Sequence, residues 1–150
     1  MKNCVVLDID GVILDSAFIF DEIFEKKLKG DEMWDYFHSH CNGEKVKLIK
    51  SCKGFLGMLY LIKRHAELDI ILLTSRNDKA YKETEKKLKE FMYYDKLIMR
   101  PDGDYRESHV LKKEALEKLQ EEYRILLFID DELKNCEAAK ELGIFSLRKV

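Results

Sequence analysis

The 150-residue sequence predicts an α/β fold: a Rossmann-like three-layer sandwich around a five-stranded, mainly parallel sheet. Three features predict it. Short apolar runs rich in Val, Ile and Leu alternate with longer amphipathic stretches, as expected for parallel strands buried on both faces and the helices that cover them. Connections are short and Pro101 is the only proline, so no linker divides the chain and residues 1–150 are expected to form one domain. Three apolar runs end abruptly in polar side chains, and in a parallel sheet such ends share one edge.

The first strand is Val5-Val6-Leu7, followed by Asp8-Ile9-Asp10-Gly11-Val12. Side chains alternate along a strand, so Asp8 and Asp10 would share a face if it continued, and Gly11 lets the chain turn away. From Ile13 to Lys29 the spacing predicts a helix with Ile19, Ile23 and Phe24 on one face, ended by Gly30. Asp31 opens a short second helix with Met33, Trp34 and Phe37 as its apolar face, and Asn42-Gly43 is a turn. A third helix is predicted over Val46–Arg64, with a Phe55, Leu59, Ile62 stripe. This helical segment, about 13–64, leaves room for a small cap or none.

Asp69–Arg76 is the second strand, ending in Thr74, Ser75 and Arg76. An amphipathic helix follows over Asp78–Met92, with Tyr81, Leu88 and Phe91 inward, and Leu97-Ile98-Met99 is the third strand. After the turn formers Pro101–Asp104, Ser108 is placed to cap a helix running to about Tyr123. Ile125–Ile129 is the fourth strand, closed by Asp130-Asp131. A helix over Leu133–Leu142, capped by Gly143, leads to the fifth strand, Ile144–Leu147.

Composition excludes several classes. With 46% apolar and 37% charged residues the chain is an ordinary globular protein, and a net charge of -2 gives no overall attraction to nucleic acid or acidic membranes. Any polyanion site is therefore local; Lys45, Lys47, Lys50 and Lys53 form either a solvated face or the rim of one. No apolar stretch approaches the roughly 20 residues that span a bilayer, so no membrane association is expected. The apolar run after Met1 is too short for a signal peptide, and Asp8 and Asp10 interrupt it. Cys4, Cys41, Cys52 and Cys136 lack C-x-x-C spacing and read as reduced packing thiols of a cytoplasmic chain.

The polar strand ends bring together carboxylates, hydroxyls, an arginine and a lysine from 108–123. His38, His40, His65 and His109 lie outside those ends, so oxygen donors dominate and Mg²⁺ is the expected metal. An aspartate is ionised near neutral pH and can attack phosphorus without an activating base. A second carboxylate two residues on can protonate the leaving oxygen and then deprotonate water. A lysine and a metal neutralise the charge that develops on the phosphoryl oxygens, and a strand-end Thr hydroxyl can hold one of them.

Four motifs in this order, Asp8-Ile9-Asp10-Gly11-Val12, Leu72-Leu73-Thr74-Ser75, a lysine, and Ile129-Asp130-Asp131 with Asn135, resemble those of the haloacid dehalogenase superfamily of phosphohydrolases over nearly the whole chain. The resemblance implies that Asp8 is nucleophile and metal ligand. It makes Asp10 the general acid/base, with its main-chain carbonyl on the metal, and Asp130 and Asp131 metal ligands. Thr74, with Ser75, would bind the substrate phosphate, and Asn135 would either orient Asp131 or face solvent.

Lys112 and Lys113 both fit the third motif. Met99–Arg106, Val110–Glu114, Thr74-Ser75-Arg76 and Trp34–Phe37 resemble the phosphatase domain of phage and bacterial polynucleotide kinase/3′-phosphatases. Alignment on Gly103-Asp104-Tyr105-Arg106 selects Lys112, and Arg76 and Arg106 would then contact the substrate phosphate. The chain departs from that group at Ser108, where an acid is common, and has no arginine between Gly11 and Asp31.

The substrate expected is thus a phosphorylated nucleotide, a nucleic-acid end or a small metabolite, with no obligate protein partner. A phospho-acceptor module built like a response-regulator receiver uses the same residue types. Its acceptor lies on the third strand and its lysine at the end of the fifth, whereas here the third strand ends Ile98-Met99-Arg100 and the lysine lies in a helix.

Overall fold

A computed structural model describes residues 1–150. Its elements are β1 (Lys2–Leu7), β2 (Leu14–Asp15), α1 (Ala17–Glu25), α2 (Gly30–His40), β3 (Lys47–Leu48), α3 (Cys52–His65), β4 (Leu68–Asn77), α4 (Tyr81–Lys89), β5 (Lys96–Arg100), α5 (Ser108–Gln120), β6 (Tyr123–Asp130), α6 (Leu133–Glu141) and β7 (Ser146–Arg148). The main sheet runs β5-β4-β1-β6-β7 and every pairing in it is parallel. It is the expected α/β sandwich, with no antiparallel member in the main sheet.

Residues alternate between two cores. Val5 and Leu7 of β1 and Ile70 and Leu72 of β4 join Ile19, Ile23, Phe37, Leu56, Leu59 and Leu88 on one face. Cys4, Val6, Ile71, Leu73 and Phe128 join Leu116, Leu119 and Ala139 of α5 and α6 on the other. Each fully buried Leu or Ile contributes roughly 1.5–3 kcal/mol. The central strand β1 lies between β4 and β6, so the three polar strand ends belong to neighbouring strands about 4.8 Å apart. No helix is long and apolar enough to cross a membrane.

Several local expectations are corrected. Ile13 does not begin a helix: Leu14-Asp15 pairs antiparallel with Lys47-Leu48, so α1 starts at Ala17 and α3 only at Cys52. The helix at 17–25 ends before Gly30, and Lys27 takes the left-handed conformation at φ 55°. Phe24 is 84% exposed, and Ile62 and Tyr81 are also exposed rather than inward, because only part of each helical stripe reaches the sheet. Glu107, not Ser108, occupies the cap position of α5. The fifth strand begins at Ser146, and Gly143 turns the chain into it at φ 74°.

Candidate active site

Beyond the end of β1, the Asp8 N–H still donates to the Ile129 carbonyl (2.9 Å), which keeps the Asp8 backbone against β6. The chain then folds sharply. The Ile9 carbonyl accepts from the N–H groups of Val12, Ile13 and Leu14, and the Gly11 N–H donates to the Leu14 carbonyl (3.0 Å). Gly11 has φ +80°, open to glycine at little cost, and a Cβ there would lie 2.8 Å from Asp131 Cγ. A side chain at 11 would thus collide with an acid 120 residues along the chain.

Oxygens of Asp8, Asp130 and Asp131 lie within 4.8 Å of one another. Lys112 Nζ reaches Asp8 Oδ1 at 2.9 Å and Asp130 Oδ2 at 2.7 Å, and its side chain is 3% exposed. Lys113, one residue on, points outward to Glu141 (2.6 Å). Helical geometry separates the two faces, so Lys112 alone enters the cluster. Asp130 is fully buried and accepts from the Glu132 N–H (2.9 Å) and from Asn135 Nδ2 (3.2 and 3.1 Å). Asn135 therefore holds Asp130 rather than Asp131. The same Nδ2 lies 3.2 Å from Ser108 Oγ, which meets Ser75 Oγ at 2.5 Å. Thr74 is buried, its Oγ1 accepting from the Arg76 N–H (3.1 Å).

The electrostatics are those of a charge-deficient pocket. Burial pushes the Asp8 carboxyl well above the usual carboxylate range; Lys112 opposes this, while Asp130 and Asp10 add to it. Burial also raises the Asp131 carboxyl, with the Asp130 charge adding to the rise and Lys112 opposing it. Burial alone would lower Lys112, but the Asp8 and Asp130 charges outweigh it and raise it. Three carboxylates against one ammonium leave two negative charges, which one divalent cation would balance. An all-oxygen donor set of this kind suits a hard cation such as Mg²⁺. Cysteine offers no competing nucleophile: all four are free and buried, and burial pushes the Cys4 thiol up to about 12 and Cys41 to about 11.

The Asp10 carboxylate turns away from this cluster to Arg76. Arg76 Nε donates to Oδ2 (2.8 Å) and Nη2 to Oδ1 (2.6 Å), a bidentate pair in which Arg76 is 2% exposed. Ser16 Oγ also donates to Oδ1 (2.8 Å), so Oδ2 is the oxygen with a lone pair to spare. The far side of the guanidinium donates to Asn42 Oδ1 (2.7 Å), the Cys41 carbonyl (3.1 Å) and Thr84 Oγ1 (3.4 Å).

All five Arg76 N–H donors thus have protein acceptors, so Arg76, expected to contact a substrate phosphate, here grips Asp10. Arg106 does not reach the cluster either. It pairs with Asp104 (2.8 Å) and Glu114 (2.7 Å) and is half exposed. Ser16, Asn42 and Thr84 have no motif that marks them; only the Asn42-Gly43 turn was visible in sequence.

The family model of the HAD superfamily, subfamily IIIB (acid phosphatase), matches residues 1–148. No curated protein matches the chain in sequence. Among solved structures, one from the Pnkp1/Rnl/Hen1 RNA repair complex is 24% identical at a TM-score of 0.75 over 99% of this chain. The class C acid phosphatase of Bacillus anthracis, with tungstate bound, is 18% identical at 0.65 over 97% of this chain and 67% of its own. A haloacid dehalogenase-like hydrolase of Streptococcus pneumoniae is 15% identical at 0.64 over 98% of this chain and 84% of its own. The chain spans only 42% of the length of the RNA-repair structure.

Proposed function

We propose that this chain, which belongs to the haloacid dehalogenase superfamily, subfamily IIIB, is a phosphatase that hydrolyses phosphomonoesters through an aspartyl-phosphate on Asp8. The observation that carries this reading is the buried cluster of Asp8, Asp130 and Asp131 with Lys112 between two of them. Asp8, Asp130 and Asp131, with the Asp10 main-chain carbonyl, would hold Mg²⁺, which when bound offsets the negative charge of the phosphoryl oxygens.

The chain's own groups do the rest. An Asp8 oxygen attacks phosphorus as the ester P–O bond breaks, and Asp10 Oδ2 gives the departing oxygen a proton. Asp10 then takes a proton from water, which attacks the same phosphorus, frees inorganic phosphate and returns Asp8 as a carboxylate. Lys112 holds Asp8 and Asp130 in place, and the Thr74 hydroxyl, its oxygen fixed by the Arg76 N–H, donates to a phosphoryl oxygen.

The narrower substrate class we propose is a nucleotide or nucleic-acid 3′-phosphate. It is supported by the resemblance at 99–106 and 110–114, with a fold shared by a protein of an RNA repair complex. A panel of phosphorylated metabolites and 3′-phosphorylated oligonucleotides, assayed with and without Mg²⁺, tests it. Preference for oligonucleotide ends is expected; release from small metabolites alone would overturn the narrower class, and no release from any would overturn the whole.

A further inference from the structure

We infer that Asn42 is a positioning residue for Asp10, acting through Arg76; the inference rests on the acid/base role proposed above for Asp10. Arg76 is planar, and its two edges do different things. One edge grips both Asp10 oxygens. The other meets Asn42, the Cys41 carbonyl and Thr84. In a rigid fork, fixing one edge fixes the plane in which the other presents its N–H groups. Of the far-side contacts Asn42 is the shortest at 2.7 Å, while Thr84 at 3.4 Å is weak, so Asn42 sets the orientation of Nη1.

Asn42 is itself clamped. Its Nδ2 lies 3.3 Å from Thr84 Oγ1, and the neighbouring Gly43 carbonyl accepts from Lys87 Nζ (3.0 Å), a lysine buried on α4. His38 Nε2 accepts from the Asn77 N–H (3.2 Å), tying the end of α2 to the end of β4. The helical segment between the first two motifs is therefore anchored at its turn to α4 and β4. Its chemical contribution is a fixed acceptor for Arg76, and through Arg76 a fixed Asp10. The consequence falls on proton transfer by Asp10, to the leaving oxygen and from the attacking water, and not on phosphate binding.

The test compares Asn42→Leu, Asn42→Asp and Asp10→Asn on an alkyl phosphate, whose leaving oxygen needs a proton, and on p-nitrophenyl phosphate, whose leaving oxygen needs little help. Asn42→Leu is expected to lower the single-turnover rate of phosphoryl transfer to Asp8 roughly tenfold on the alkyl ester and less than about threefold on the aryl ester, with substrate Kd unchanged. Asn42→Asp keeps the acceptor and is expected to restore most of the loss. In the Asp10→Asn background Asn42→Leu is expected to add nothing.

Equal losses of the transfer rate on both esters, or additivity with Asp10→Asn, would overturn the inference. A second readout is the NMR signal of the Arg76 Nε–H. It is expected to exchange slowly with solvent in the unsubstituted protein and fast in Asn42→Leu, and identical slow exchange in both would overturn the proposal. This readout keeps the two claims separable: without turnover of either ester by the unsubstituted protein the phosphatase mechanism fails, while the Arg76 signal still decides the clamp.

Discussion

Gly11→Ala tests how tightly the turn after Asp8 is built against Asp131. Gly11 has φ +80°, a conformation that costs an L-residue about 1–2 kcal/mol. The added Cβ would lie 2.8 Å from Asp131 Cγ and 3.3 Å from its Cβ, and closer still to Oδ2. Contact distance for such atoms is about 3.5 Å, so the carboxylate must move by at least roughly 0.7 Å. The strain alone is expected to lower Tm by about 2–8 °C, at 2–4 °C per kcal/mol for a chain of this size. The displacement acts on turnover, where a shift near 1 Å costs on the order of 100-fold. Thermal unfolding and steady-state kinetics on one substrate, with Mg²⁺ titrated, measure both. A variant with unchanged kcat and Tm would refute the packing of Gly11 on Asp131, and a lowered Tm with full kcat would show that Asp131 plays no part in turnover.

Three further outcomes are expected. Lys112→Met leaves Asp8 and Asp130 without their shared cation and is expected to destabilise by roughly 3–5 kcal/mol and abolish turnover, whereas Lys113→Met changes either by little; denaturant unfolding and kinetics of the pair check this. Mg²⁺ at about 100 times its Kd is expected to stabilise the protein by about 2.7 kcal/mol, seen as a rise in Tm that Asp130→Asn abolishes; an equal rise in the variant would contradict the metal site. Although burial opposes it, hydrogen bonds from Lys2 and Tyr123 hold the Asp69 carboxyl below its ordinary value, so its stabilisation is complete above about pH 4 and lost as pH falls through the lower folded value. Asp69→Asn is expected to narrow the stability gap between neutral pH and pH 3 in denaturant titrations, and an unchanged gap would count against the Lys2–Asp69–Tyr123 cluster.

The parallel sheet was legible because its strands are uninterrupted apolar runs, and their polar ends marked the edge where Asp8 and Asp130 meet Lys112. What escaped was long-range pairing with no local signal. Leu14-Asp15 and Lys47-Leu48 are strands of two residues each, and their partnership spans more than 30 positions, so each half was absorbed into a helical period. Phe24 and Tyr81 followed helical spacing onto a presumed inner face, but the extent of cover depends on where the sheet ends.

Arg76 was visible as a strand-end arginine, yet its partner Asp10 lies 66 residues away and its clamp on Asn42 crosses another 34. Charge alone could not say whether its five donors faced a ligand or the protein. Lys112 and Lys113 differ only in helical phase, and the fold separates them by aiming one inward at two acids and one outward at Glu141.

The central claim is that Asp8 attacks phosphorus from within the cluster it shares with Lys112, Asp130 and Asp131. Phosphate release by Asp8→Asn, saturated with Mg²⁺ and shown to be folded by its circular dichroism, tests it most directly. The account predicts a fall to the rate of the uncatalysed reaction; turnover within about tenfold of the unsubstituted protein, a difference of only about 1.4 kcal/mol in the barrier, would contradict it.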